Sequence, residues 1–266
     1  MATDRMPAAF IGHGSPRITL QHNARTEAWK AFAQAIPRPR AVLVISGHWY
    51  INATAVTAMA QPRTIHDFFG HSPELFAFQY PAPGDPELAE HVVDVVSPVW
   101  CGLDIDSWGL DHGTWSVLAH CYPEADIPVV QLALNAALPF DYHFELGARL
   151  APLRDEGVLI IASGTIMHNG AVFSEQARAT GIYDRALEFD AAVTDVMTTA
   201  PEKAPSLGEH PSYPLAAPTH DHFLPLLYLA GLAVEAGGPA QVLPDGRGEG
   251  DRPLTTCYSV GMPAAA

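Results

Sequence analysis

The chain has 266 residues, of which 48% are hydrophobic and 16% charged, a composition that excludes an unfolded chain and supplies a core without help from disulfides. Lys and Arg number 14 against 29 Asp and Glu, a net charge of −15, which argues against nucleic acid and against anionic membranes as partners. Three cysteines, Cys101, Cys121 and Cys257, form no C-x-x-C pair, and the first five residues lack a signal-peptide stretch, so a reducing cytoplasm is expected.

In chain order, Ala8–Ile11, Ala41–Ser46, Ile127–Leu134 and Val158–Ala162 read as short buried strands rich in Val, Ile and Leu, and Thr54–Met59 and Leu254–Val260 as further strands. Between them lie amphipathic helices. Asn23 caps one over Ala24–Ala35, and Asp85-Pro86-Glu87 opens another carrying Leu88, Val92, Val95 and Val99. Tyr142, Leu146, Leu150 and Leu153 mark a third, and Leu187, Val193, Val196 and Met197 a fourth. Alternating strands and helices predict one α/β domain over residues 1–266. Its mostly parallel, mixed sheet is covered by helices on both faces, and the site lies at the carboxyl edge of the strands. Residues 60–84 are rich in proline and aromatics and read as a pocket wall or lid. Residues 236–253 read as a surface loop.

The 13 histidines are the outlying number. His13 follows the first strand in Gly12-His13-Gly14-Ser15, His48 the second in Ser46-Gly47-His48-Trp49, and His168 a later one in Ser163-Gly164-Thr165-Ile166-Met167-His168. His112 lies where a loop enters a helix, and His220 and His222 flank Asp221. His22, His71, His91, His120, His143 and His210 sit in no such pattern and are read as surface or capping residues. No nucleophile elbow, dinucleotide loop, Walker A sequence or H-E-x-x-H helix is present. A mononuclear metal site of scattered imidazoles remains, and imidazole suits zinc, iron, copper and nickel alike.

Eight motifs in order then narrow the choice: F-I-G-H-G-S-P at 10–16, I-S-G-H-W at 45–49, T-I-H-D-F at 64–68, Y-P-A-P-G at 80–84, L-D-H-G-T-W at 110–115, D-I-P-V-V-Q-L at 126–132, A-S-G-T-I-M-H-N at 162–169 and H-F-L-P-L-L-Y at 222–228. Over nearly the whole chain they resemble the class III extradiol ring-cleaving dioxygenases, in the branch of the DOPA-type enzymes. The resemblance implies an α/β fold with its metal at one sheet edge. His13, His48 and His222 match the metal ligands, with His220 two residues away from the third. His168 matches the acid/base, and His112 a histidine near the substrate oxygen. His66, Phe68 and Tyr80 match the pocket mouth, with Phe69 and Phe76 beside them.

It further implies Fe(II) for activity, with Zn(II) as a possible bound metal. The partners would be dioxygen and a small aromatic ortho-diphenol, opened next to the diol to a muconic semialdehyde by a monomer or small homo-oligomer. A zinc-dependent hydrolase and a non-catalytic binding protein of the same fold are the alternatives. A carboxylate on the substrate would call for a cation such as Arg17, Arg63 or Lys203.

Overall fold

A computed structural model describes residues 5–243 and 255–263. Eight strands form one mixed sheet: β1 (Ala8–Gly12), β2 (Ala41–Ile51), β3 (Ala55–Thr57), β4 (Gly102–Asp104), β5 (Val129–Asn135), β6 (Val158–Gly164), β7 (Gln241–Val242) and β8 (Tyr258–Val260), in the spatial order β4-β3-β5-β2-β6-β1-β8-β7. The central four, β5, β2, β6 and β1, run parallel. β3 pairs antiparallel with β5, and β8 antiparallel with β1, so both flanks depart from the parallel pattern. The mostly parallel sheet expected from the sequence is thus present. β4 and β7, of three and two residues, were too short to read from periodicity. Leu254 and most of the predicted 236–253 loop lie outside the described residues.

Side-chain alternation splits the core into two layers. Phe10, Leu43, Leu132 and Ile160 face the helices Phe140–Arg149, Ile182–Thr199 and Leu224–Glu235. Ile11, Val44, Val129 and Ile161 face the other way, against Trp29 and Phe32 of the helix Ala24–Gln34 and Trp115 of the helix His112–Cys121. The predicted caps are formed: Asn23 accepts from Thr26 N within a capping box, and Asp85 accepts from Leu88 N. The third predicted helix stops at Arg149, and a separate turn, Pro152–Asp155, carries Leu153. Pro152 cannot donate the bond that would continue the helix.

Three features of this scaffold position the site. β1 and β6 end in register at Gly12 and Gly164, so the chain leaves both strands at the same edge. β2 pairs with β6 as far as Ser46 opposite Ser163, and its register against β5 then shifts between Ile45 and Tyr50. His48 therefore lies inside an extended β2, in its irregular stretch, and not beyond the strand as the sequence reading had it. A bulge of this kind re-aims side chains at a strand end. Finally, the segment before the helix Leu224–Glu235 crosses the strand ends. Thr165 N donates to His222 O at 2.9 Å, and a Cβ on Gly164 would collide with that same carbonyl. A Cβ on Gly47 would come within 3.2 Å of Asp221 O and His222 Cα.

Gly164→Ala must therefore push the 221–222 backbone off the sheet. Overpacking of this kind costs about 1–3 kcal/mol. We expect urea denaturation of the variant to show a loss of that size, accompanied by weakened metal binding. An unchanged midpoint would contradict the close approach.

Candidate metal centre

Five imidazoles meet at the carboxyl edge of the central strands. Nε2 of His48 lies 3.1 Å from Nε2 of His13 and 3.1 Å from Nε2 of His222. The His112 ring centre is 3.8 Å from that of His48, and the His168 ring stacks on His222 at 3.6 Å. His13, His112 and His222 are buried, His48 is half-buried, and His168 is exposed at the rim. Ligand atoms of His13, His48 and His112 come within 4.8 Å of one another, as do those of His168, Asp221 and His222. These two groups share a boundary, because His48 reaches both His13 and His222. Through its Nε2 contacts His48 joins His13 to His222, which neither group contains together. His220, the rival to His222, points elsewhere: its Nδ1 pairs with the Tyr213 hydroxyl at 2.8 Å and its ring stacks on that tyrosine.

The outer nitrogens settle which way the central rings face. Ser163 Oγ donates to Gly113 O at 2.5 Å, so the same oxygen is free to accept from His13 Nδ1–H at 2.9 Å. His222 Nδ1–H donates to Asp221 Oδ2 at 2.5 Å. His48 Nδ1 lies 2.8 Å from Asp67 Oδ2, close enough for the carboxylate to hold a proton on that nitrogen. With the proton of each neutral ring held on Nδ1, three Nε2 lone pairs face one another. That arrangement repels itself unless a cation sits among them, and imidazoles oriented by carboxylates or hydroxyls through the far nitrogen are the usual setting of a bound metal. The donor set therefore fits a metal ion.

A fully buried carboxylate, Asp111, builds the base. It accepts from Ser46 Oγ at 2.7 Å, from Trp108 Nε1 at 3.2 Å and from Gln131 Nε2, and it caps the His112 helix through Thr114 N. Ser46 Oγ in turn accepts from His48 N at 3.2 Å. One buried group thus sets both the β2 bulge and the start of the helix bearing His112.

Burial and the neighbouring imidazoles push the His13 pKa well down. Burial brings His222 to about 4 against the pull of Asp221, and lowers His112 and His168 as well. His48 moves up: burial opposes the charged form, but Asp67 and Asp111 outweigh it. Burial works against ionised Asp67 and Asp221 too, yet hydrogen bonds and charge from His112 and His48, and from His222, hold both below the usual carboxylate range.

A cleft of about 320 Å³ opens onto His48, His112, His168 and His222. Its remaining wall includes Pro16, Thr165, Met167, Asn169, Phe173 and Thr255. The aromatic segment lies behind it. Phe68 is buried with its ring edge-on to His112 at 5.6 Å, while His66 pairs through Nε2 with Phe78 O and packs on Phe68 and Trp115. Tyr80 is core: it is 3% exposed, and its hydroxyl donates to Tyr122 O. None of these three lines the described cleft. Sequence reasoning missed Asp67, Asp221 as a partner of His222, and Ser163. Asp67 stands inside the quoted T-I-H-D-F motif, where the signal was read for His66.

A protein with such a histidine centre at the edge of an open α/β sheet belongs among the metal-dependent enzymes. The family described as the catalytic LigB subunit of aromatic ring-opening dioxygenase matches residues 9–247, and the chain belongs to that family of ring-cleaving oxidoreductases. A protein of Escherichia coli (strain K12) named "4,5-DOPA dioxygenase extradiol" is 43% identical over 235 residues, covering 87% of this chain and 86% of its own. A Beta vulgaris protein of the same name is 37% identical over 238 residues, covering 85% and 86%. The crystal structure of an uncharacterised Escherichia coli K12 protein superposes with a TM-score of 0.79 at 34% identity, covering 96% of this chain and 100% of that one.

The pKa shifts fix a pH dependence. A histidine whose pKa is lowered on folding binds its proton less readily than in the unfolded chain, so stability falls as pH drops through 6.5 toward the folded value. His13, His112, His168 and His222 act in this sense, and His48, being raised, opposes them. Asp67 and Asp221, being lowered, add a further loss once pH falls through 3.8. Urea unfolding of the metal-free protein at stepped pH should show stability declining between pH 6.5 and about 4. A flat profile across that window would contradict the buried neutral imidazoles.

Proposed function

We propose that the protein opens the ring of a catechol next to its diol, with His13, His48 and His222 holding Fe(II) and dioxygen as the second substrate. The contact of His48 Nε2 with Nε2 of both His13 and His222, each ring turned by a buried or half-buried partner on its far nitrogen, carries the reading. Fe(II) rather than Zn(II) is the working metal in this reading, because a ferrous ion supplies the redox chemistry that joins a catechol to dioxygen. Both oxygen atoms end in the muconic semialdehyde, so no external reductant is needed.

The chain's own residues do the rest. His168 stands at the rim, stacked on His222, with no hydrogen bond to its ring among the described residues. Burial keeps its pKa low, so at neutral pH it is an unprotonated base free to turn toward a substrate hydroxyl. Pro16, Met167 and Phe173 give the cleft an apolar wall for one planar ring, with Thr165 and Asn169 as polar contacts. At about 320 Å³ the space suits a single substituted ring. Of the cations raised by the sequence, exposed Arg17 follows directly on the cleft-lining Ser15 and Pro16 and donates from Nε to His71 Nδ1 at 3.3 Å, whereas Arg63 donates to Ser107 O at 2.5 Å. This placement, with the names of the two relatives, supports a catechol whose side chain carries a carboxylate, such as DOPA.

The test is oxygen uptake by anaerobically Fe(II)-loaded protein against a panel of catechols with and without carboxylates. Wild type should consume oxygen and form a visible-absorbing ring-opened product. His168→Ala should lose about 10²- to 10⁴-fold in kcat/KM with its iron content unchanged. No uptake with any catechol, iron being present, would sink the reading. Activity of His168→Ala near wild type would remove His168 from the proton transfer.

A further inference from the structure

Asp67 belongs to the 60–84 segment, which the sequence offered only as a pocket wall. Its placement is built by the backbone. Thr64 bridges Leu110 in parallel, Ile65 N donates to Leu110 O at 2.7 Å, and Leu110 N donates to Arg63 O at 2.9 Å. Trp115 Nε1 donates to Ile65 O at 2.8 Å. The loop is thereby zipped to the start of the His112 helix, and the Asp67 side chain, 14% exposed, points between two imidazoles. Oδ1 accepts twice from one residue, from His112 N at 3.0 Å and from His112 Nδ1 at 2.9 Å. Oδ2 faces His48 Nδ1 at 2.8 Å. The two rings so held lie with centres 3.8 Å apart.

We infer that Asp67 is a positioning residue shared by two imidazoles: it keeps the proton of both His48 and His112 on Nδ1, so that both Nε2 lone pairs face the centre. The inference rests on the proposed function in taking His48 as a metal ligand. Its chemical content is that the metal side and the substrate side of the site depend on one carboxylate. A neutral His112 then presents the cleft with an acceptor and becomes a donor only after it takes up a proton.

Substituting Asn separates the two arms, because its orientation is forced. The His112 backbone N–H is a donor that cannot be reversed, so the Asn carbonyl stays on that side and the amide NH2 turns to His48. Facing a donor, His48 must leave Nδ1 bare and carry its proton on Nε2, the atom that binds metal. Asp67→Asn should therefore lower Zn(II) affinity, measured by competition with a chromophoric chelator, about 10- to 100-fold. In ¹⁵N-histidine spectra of the zinc-free protein at alkaline pH, His48 should change tautomer while His112 keeps Nδ1–H. Asp67→Ala should weaken Zn(II) binding as well and release the His112 tautomer. Asp221→Asn, acting through His222, should weaken binding and leave both the His48 and the His112 tautomers unchanged.

Zn(II) binding by Asp67→Asn within about threefold of wild type would overturn the inference, since an orienting partner is worth more than that. A wild-type spectrum with the His112 proton on Nε2 would overturn it too, and that spectrum decides the matter even if the variants do not fold. Failure of the dioxygenase reading looks different: wild type loaded with iron takes up no oxygen, while the zinc and tautomer readouts remain as described.

Discussion

Three imidazoles brought nose to nose in a largely buried place crowd their Nε2 atoms together, and much of the surrounding structure holds them there. Nε2 of His48 stands 3.1 Å from Nε2 of both His13 and His222. Free rings would turn to exchange a proton or separate. Here each is denied that freedom on its far side by Ser163, Asp67 or Asp221. The cost of this crowding is recovered when a cation enters, so the metal-free fold is poised for binding.

The scaffold supplies the three rings by three different devices. His13 comes from the plain end of a parallel strand, the edge at which open α/β sheets place their ligands. His48 comes from a register shift within β2, fixed by Ser46 and the buried Asp111. His222 arrives on a segment pressed against Gly47 and Gly164, whose missing side chains let the backbone lie across the strand ends. The cleft side is grafted onto the same frame: Asp111 caps the helix that begins with His112, and His168 leans on His222.

How much of this was legible in the sequence differs by residue. His13 was readable as a candidate, because a short apolar strand ending in Gly-His-Gly marks both the edge and the turn and His48 and His168 follow other strands in the same way. His48 was readable as a site residue but not as a strand residue, since a register shift leaves no periodic trace. His222 could not be told from His220 by spacing, and the family resemblance chose it. The choice rests in space on Tyr213, which draws His220 away. Asp67 was hidden because its partners, His48 and His112, are 19 and 45 residues distant and met only through the zipping of residues 63–65 onto Leu110. The placement of the aromatic segment was illegible for a related reason. Its composition is right for a pocket wall, but Phe68 and Tyr80 pack inward behind His112, and composition does not tell the front of a wall from its back.

The central claim is that one metal ion sits among Nε2 of His13, His48 and His222, and it is tested most directly by anomalous scattering at the iron edge from crystals loaded anaerobically with Fe(II). A single anomalous peak within bonding distance of those three nitrogens, with His112 and His168 unligated, is the predicted result. A peak held by His112 with His13 and His48, or by His168 with Asp221, would contradict the account and reassign both the ligands and the bases.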